Sequence, residues 1–487
     1  MSDAVGVRAG EPSESHRGSE SGSGRGPGRG PGPGSALSAG ELDALDELAF
    51  RREDFVLDGP DGHGGGTAAD SGRTVYLDGN SLGALPRSVP ARLAEVVERE
   101  WGRLRIRSWS ESGWWSAPER IGDRIAPLVG AGEGRIVVGD STSVNVFKAV
   151  VGAVRLAREE HGEGRDEILV DAATFPTDGY IARSAARMTG ATVRAVPVAE
   201  TAAAVGQSTA AVLVNHVDYR TGELHDLAAL TEAVHRAGAR AVWDVCHSAG
   251  ALPVELDARG ADFAVGCTYK YLNGGPGSPA FLYVRRELQD RFDSPLPGWT
   301  SHADPFAMAD GYVPGDGAAR GRVGTPDILS MLALEEALRV WDGVGIASVR
   351  AKSLALTDFF LRELRAHVPG GRAGRLRLRS LTPEEHERRG SQISLLCEDA
   401  SSAGAGPSGA GGDGDAEAEG DADRDDAGDV AGEVMAELHR RGVVGDFRRP
   451  GVLRFGFTPL YTSFADAGRA ARVLAEVVHE YGQEAGS

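Results

Sequence analysis

The stretch AVWDVCHSAG ALPVELDARG ADFAVGCTYK YLNGGPGSPA FL, residues 241–282, decides how the chain is read. Two short apolar runs within it, Ala241–Val245 and Asp262–Cys267, have the length and Val/Phe content of strands buried on both faces. The first carries a carboxylate at its end, Asp244, followed by His247. The second leads into Thr-Tyr-Lys-Tyr-Leu-Asn-Gly-Gly, which holds Lys270. An acid and an amine at the ends of neighbouring strands suit a pyridoxal phosphate site. The lysine would hold the cofactor aldehyde as a Schiff base, and the acid would keep the pyridine nitrogen protonated so that the ring withdraws electrons.

A count of lysines narrows the choice. The chain has three, Lys148, Lys270 and Lys352, and its other cationic side chains are arginines, which cannot form that imine. Lys148 and Lys352 fall within helical patterns, Lys352 on the side away from the apolar stripe, so Lys352 is expected on a helix surface. Lys270 alone stands in the setting that the chemistry needs.

The run from Ala241 to Val284 resembles the core of the kynureninase family, hydrolases of the fold-type I pyridoxal-phosphate superfamily. Other pieces match in order: YLDGNSLGALP from Tyr76, SWSESGW from Ser108, FPTDGYIARS from Phe175, GWTSHADPF from Gly298 and RFGFTPLYTSF from Arg454. The resemblance implies a fold-type I transferase fold: a mostly parallel, seven-stranded-type sheet with helices on both faces, plus a smaller α+β domain. It also implies hydrolysis of L-kynurenine, and of its 3-hydroxy form, to the anthranilate and L-alanine.

Site roles follow from the same matches. Thr142 and Ser143 would cradle the cofactor phosphate, and Phe175 would stack on the pyridine with Pro176, Thr177 and Asp178 beside it. Asn215, at another strand end, and His247 join the cofactor's surroundings. Tyr269 would anchor phosphate and relay a proton. Trp299 resembles a phosphate-side loop residue, and Thr325 would reach the phosphate of a partner subunit in a homodimer with shared active sites. Ser81 lies at the substrate edge. Arg454 would take the substrate α-carboxylate, because guanidinium fits a carboxylate bidentately.

Composition is consistent with this. At 487 residues there is room for two or three domains, and no apolar run approaches the ~20 residues of a membrane span. A formal charge of −19 argues against nucleic-acid binding, which wants a basic face. Three cysteines make neither a disulfide framework nor a zinc pattern, and no secretory signal opens the chain, so a reduced cytoplasmic setting is expected and no metal.

Along the chain, residues 1–40 are a Gly/Pro/Ser/Arg tail that cannot bury enough apolar area to order. Residues 41–100 read as an N-terminal arm and part of the small domain, 101–315 as the large cofactor domain, and 316–487 as the C-terminal small domain. Within the last, 398–430 is an acidic insertion that carries about half of the net charge and lacks calcium-loop spacing. The GNSLG turn at Gly79–Gly83 is read as bringing backbone close to a ligand. The Trp109, Trp114 and Trp115 cluster is read as packing or a dimer interface. Among fold-type I rivals, a cysteine desulfurase would need a reactive thiol. Only Cys397 falls in the right part of the chain, and its acidic neighbours would raise its pKa.

Overall fold

Alternating short apolar runs and amphipathic stretches between residues 136 and 284 form one seven-stranded sheet. Its strands are β1 (Ile136–Val138), β2 (Glu167–Asp171), β3 (Thr192–Val196), β4 (Thr209–Asn215), β5 (Arg240–Asp244), β6 (Phe263–Gly266) and β7 (Phe281–Val284). In space they run β1-β7-β6-β5-β4-β2-β3, and β7 alone is antiparallel to its neighbours. The computed structural model describes residues 37–57, 74–400 and 429–483.

Strand alternation divides the core. Ala241 and Trp243 of β5 point to one face, against Ile121, Ile125, Leu227 and Leu230 from two helices. Val242, one residue between them, points to the other, against Val146, Val150 and Ala153 of helix Thr142–His161. Side chains on a strand alternate faces, so both sides of a central strand must be apolar when helices cover both. The sheet therefore has the mostly parallel, doubly covered form that the sequence implied.

The C-terminal part builds a second, antiparallel sheet: β8 (Arg372–Ala373), β9 (Leu376–Ser380), β10 (Gln392–Asp399), β11 (Asp446–Arg448) and β12 (Val452–Gly456), in the order β11-β12-β10-β9-β8. Its core draws on helices Ile346–His367, Val430–Arg440 and Phe464–Gln483. Val75 and Leu77, far away in sequence, join this core, and Val75–Tyr76 pairs in parallel with Val443–Val444. No helix among the described residues is long and apolar enough to cross a membrane.

Several expectations change. Within the stretch read as an N-terminal arm, Val89–Glu95 is α-helical and then widens into a π-type helix, Val96–Leu104, which runs past residue 100. The acidic insertion is narrower than 398–430, because Glu398 and Asp399 stay in β10 and the Asp429 side chain caps the next helix. The expectations for 1–36 and 401–428 lie outside the described residues. Strands β8, β9 and β11 were not legible, being short and rich in arginine.

The lysines differ most. Lys352 is buried, not on a helix surface, and Lys148 is buried as well. Lys352 pairs with Asp46 at 2.6 Å and donates to the carbonyl of Pro459. Lys148 donates to Asp140 Oδ2 and to the Gly321 carbonyl, each at 2.7 Å. A buried cation survives when a carboxylate and a carbonyl take its donors. Lys352→Ala would strand the buried Asp46 carboxylate, so urea unfolding should show a loss of roughly 3–5 kcal/mol. A loss below about 1 kcal/mol would mean that water reaches the pair.

Candidate active site

Strands β4 and β5 end side by side, with Asn215 in register with Asp244. Asp244 is buried and satisfied: Oδ1 accepts from the Cys246 backbone N–H at 2.7 Å and Oδ2 from Asn215 Nδ2 at 3.0 Å. Asn215 is oriented in turn, its carbonyl oxygen accepting from Thr174 Oγ at 2.6 Å. Its amide also reaches Asp178 Oδ2 at 3.3 Å. Burial, then the Asp244 charge, push Asp178 well above the usual carboxylate range. The pair thus divides its roles: burial favours the protonated form of Asp178, while Asp244 is held as an acceptor.

Lys270 lies in the loop after β6. That loop is pinned where Thr268 Oγ donates to the Pro279 carbonyl at 2.6 Å. Gly83 is pressed against it: its N–H donates to the Tyr269 carbonyl at 2.7 Å, and a Cβ there would stand 2.3 Å from the Lys270 carbonyl oxygen. The GNSLG glycines therefore allow backbone to meet backbone. Gly79 likewise faces Thr458, and the ligand-side residues of the turn are Asn80 and Ser81. Lys270 Nζ stands 2.8 Å from His247 Nε2. Burial, then the charges of Lys270 and Arg454, depress His247 far below its usual range, so the ring is neutral and accepts from the lysine.

These groups line a cavity of about 250 Å³ together with Asn80, Ser81, Thr142, Ser143, Phe175, Thr177, Tyr219, Tyr269, Arg448 and Arg454. Thr142 and Ser143 are the first residues of a 20-residue helix capped by Ser141, so hydroxyls and backbone N–H groups meet the positive end of the helix dipole. Phe175 is 43% exposed, and its ring meets Tyr219 edge-on at 5.2 Å. Burial, then Cys267 and Cys246, raise the Tyr269 phenol, which stays a neutral donor. An anion seat, an exposed ring, a buried acid and a lysine without a carboxylate fit pyridoxal phosphate.

Three expected residues do not line this cavity. Thr325 lines an adjoining cavity of about 510 Å³ that shares Thr142, Ser143 and Tyr269 with the first. Trp299 does not line the lysine cavity of its own chain. It packs against Trp115 at 5.4 Å and Phe306 at 6.2 Å in a partly exposed aromatic patch. Pro176 starts the helix Pro176–Thr189 and leaves the lining to its neighbours.

Arg454 departs from a free bidentate fork. It is 2% exposed, and its Nε donates to Asp446 Oδ1 at 2.6 Å while Nη2 grips Oδ2. Nη1 donates to the Tyr219 carbonyl, and Nη2 also reaches Ser81 Oγ at 3.3 Å. Burial alone would raise Asp446, but Arg454, Ser81 and Arg448 outweigh it and hold the carboxyl below its usual range. Asp78, deeper in, is pushed up to about 6 by burial and by Asp446. Sequence reasoning missed Asn80, Tyr219, Asp446 and Arg448. The alternation Asp446-Phe447-Arg448 was the available signal, since a strand puts its first and third residues on one face.

Residues 75–395 match the aminotransferase class-V family, and residues 427–474 match the kynureninase C-terminal domain. A kynureninase of Deinococcus radiodurans is 44% identical over 454 residues, covering 91% of this chain and 97% of that relative. One from Pseudomonas fluorescens is 42% identical, covering 90% and 94%. Among solved structures, a cysteine desulfurase of Escherichia coli overlays with a TM-score of 0.63 at 20% identity, covering 89% of this chain and 99% of that one. A cystine C–S lyase gives 0.65 at 17%, covering 83% and 97%. At such identities these two overlays speak for the fold. The kynureninase relatives run almost end to end, so the chain belongs to the kynureninase family, within the class-V aminotransferase group.

Proposed function

We propose that this chain, as a pyridoxal-phosphate enzyme, hydrolyses the Cβ–Cγ bond of L-kynurenine and of its 3-hydroxy form, with water, to the corresponding anthranilate and L-alanine. The observation that carries the site is the state of Lys270. Among the described residues it is the one lysine that hydrogen-bonds a neutral imidazole, whereas Lys148 and Lys352 are fixed by carboxylates. The substrate is supported by relatives at 40–44% identity that are named kynureninases.

When bound, pyridoxal phosphate supplies an electron sink for the bonds at Cα of an amino acid. Asp244, both of whose oxygens already accept hydrogen bonds from Asn215 and the Cys246 N–H, would face the ring nitrogen. Thr142 and Ser143 take the phosphate at the helix end, and Phe175 covers one ring face. Lys270 would anchor the cofactor aldehyde, and its amine is the group placed to move the Cα proton. His247, neutral, accepts a hydrogen bond from Lys270 and aims its amine into the cavity. Tyr269 delivers a proton near the phosphate. Arg454 faces the α-carboxylate, Ser81 sits beside it, and Trp299 and Thr325 act across a homodimer interface.

A desulfurase reading lacks its nucleophile. Cys397 is 3% exposed in β10 and pushed up to about 12, by burial first and then by Asp429, Asp399 and Glu398. A thiol so protonated and covered cannot attack.

Borohydride treatment of the holoenzyme should fix the cofactor on Lys270, and Lys270→Ala should stay folded with no covalent label. Label on Lys148 or Lys352 would sink the assignment. Arg454→Lys should keep the cofactor yet lose about 100-fold in kcat/KM for kynurenine, because a point donor cannot be held by Asp446 through two N–H groups and still face the substrate, and misplacement of ~1 Å costs that much. Near-normal kinetics would make Arg454 a purely structural partner of Asp446.

A further inference from the structure

Arg454 has five N–H donors, and four are already taken. Nε and one Nη2 hydrogen go to Asp446, the second Nη2 hydrogen to Ser81 Oγ, and one Nη1 hydrogen to the Tyr219 carbonyl. A carboxylate has two oxygens and about four lone-pair sites to satisfy. One remaining N–H is a thin grip for a group whose placement sets the chemistry. Among the described residues, the cavity's cationic side chains are Lys270, Arg448 and Arg454. Lys270 is committed to the cofactor, which leaves Arg448.

Arg448 stands on β11, two residues from Asp446 and on the same strand face. Asp446 is in turn directly opposite Arg454 across the β11–β12 pair. Arg448 donates Nη1 to the Phe447 carbonyl at 3.0 Å and pairs Nη2 with Asp446 Oδ2 at 2.8 Å. Its side chain is 44% exposed and borders the cavity, so it has donors to spare and room to turn. Asp446 does not border the cavity. It lies behind both guanidinium groups, receiving Ser81 Oγ as well at 2.7 Å, and so holds them without competing for a ligand. Two arginines this close repel each other unless an anion sits between them, and here that anion is Asp446.

We infer that Arg448 is a second ligand of the substrate α-carboxylate, and that Asp446 positions Arg448 and Arg454 side by side to receive it. This rests on the amino-acid substrate proposed above and deepens it. Arg454, rigid and buried, fixes direction through its one open N–H. Arg448, more mobile, closes on the second oxygen once substrate arrives. The site then selects α-amino acids by their carboxylate through two cations, while Tyr219 ties that grip to the large domain.

The test compares holoenzyme carrying wild-type sequence with Arg448→Ala. L-alanine and L-alaninamide serve as competitive probes against kynurenine, since they differ only in the carboxylate. In the variant the inhibition constant for L-alanine should rise about tenfold, as for loss of one charge-assisted hydrogen bond, while that for L-alaninamide moves less than about twofold. The KM for kynurenine should carry most of the fall in kcat/KM. An equal weakening of both probes would overturn the inference by making Arg448 a structural residue, and so would no change in either. If Arg448→Ala does not retain cofactor, Arg448→Met keeps the aliphatic stem and is read by the same criterion. Wild-type enzyme that binds L-alanine in preference to its amide but leaves kynurenine intact would count against the substrate reading alone.

Discussion

A buried carboxylate whose two oxygens must both be met by donors is the constraint around which the large domain is arranged. Asp244 ends β5 in the middle of a sheet covered on both faces, where bare charge is costly. The sheet itself supplies the remedy. Parallel strands in register bring Asn215 alongside, and the chain turning away after β5 aims the Cys246 N–H back at the same group. Asp178, whose protonated form the same burial favours, is a third polar neighbour. Remove the alternation that buries Trp243 on one face and Val242 on the other, and Asp244 no longer stands where a ring nitrogen would meet it.

The second constraint is between the two sheets. Arg454 and Asp446 belong to the small antiparallel sheet, whereas the Tyr219 carbonyl that receives Arg454 belongs to a loop after β4 of the large one. A single guanidinium thereby ties the carboxylate end of the site to the cofactor end. Ser81, brought in by the turn after Val75–Tyr76, completes the junction. Gly83 matters for the same reason, because any side chain there would collide with the Lys270 loop.

Much of this was legible in the sequence, for physical reasons that differ by residue. Strands β4 to β6 announce themselves because burial on both faces forces continuous apolar runs; β4 and β5 end on Asn215 and Asp244, and β6 leads into the Lys270 loop. Thr142 and Ser143 are visible because hydroxyls at a helix start are a local feature. Lys352 was misjudged, since helical periodicity ranks faces by hydropathy and cannot see a carboxylate arriving from far along the chain, as Asp46 does there. Asp446 failed to register for a similar reason: its meaning comes from the cross-strand partner. Trp299 and Thr325 were assigned by resemblance, and within a single chain only Thr325 stands next to the phosphate turn.

The central claim is that bond cleavage falls between Cβ and Cγ of a kynurenine. The most direct measurement is product analysis of purified holoenzyme, incubated separately with L-kynurenine, 3-hydroxy-L-kynurenine and L-cysteine. The account predicts anthranilate, or its 3-hydroxy form, in equal amount with L-alanine, and no sulfide from cysteine. Sulfide released from cysteine without anthranilate from kynurenine, or conversion of kynurenine to a keto acid with its carbon skeleton intact, would contradict it.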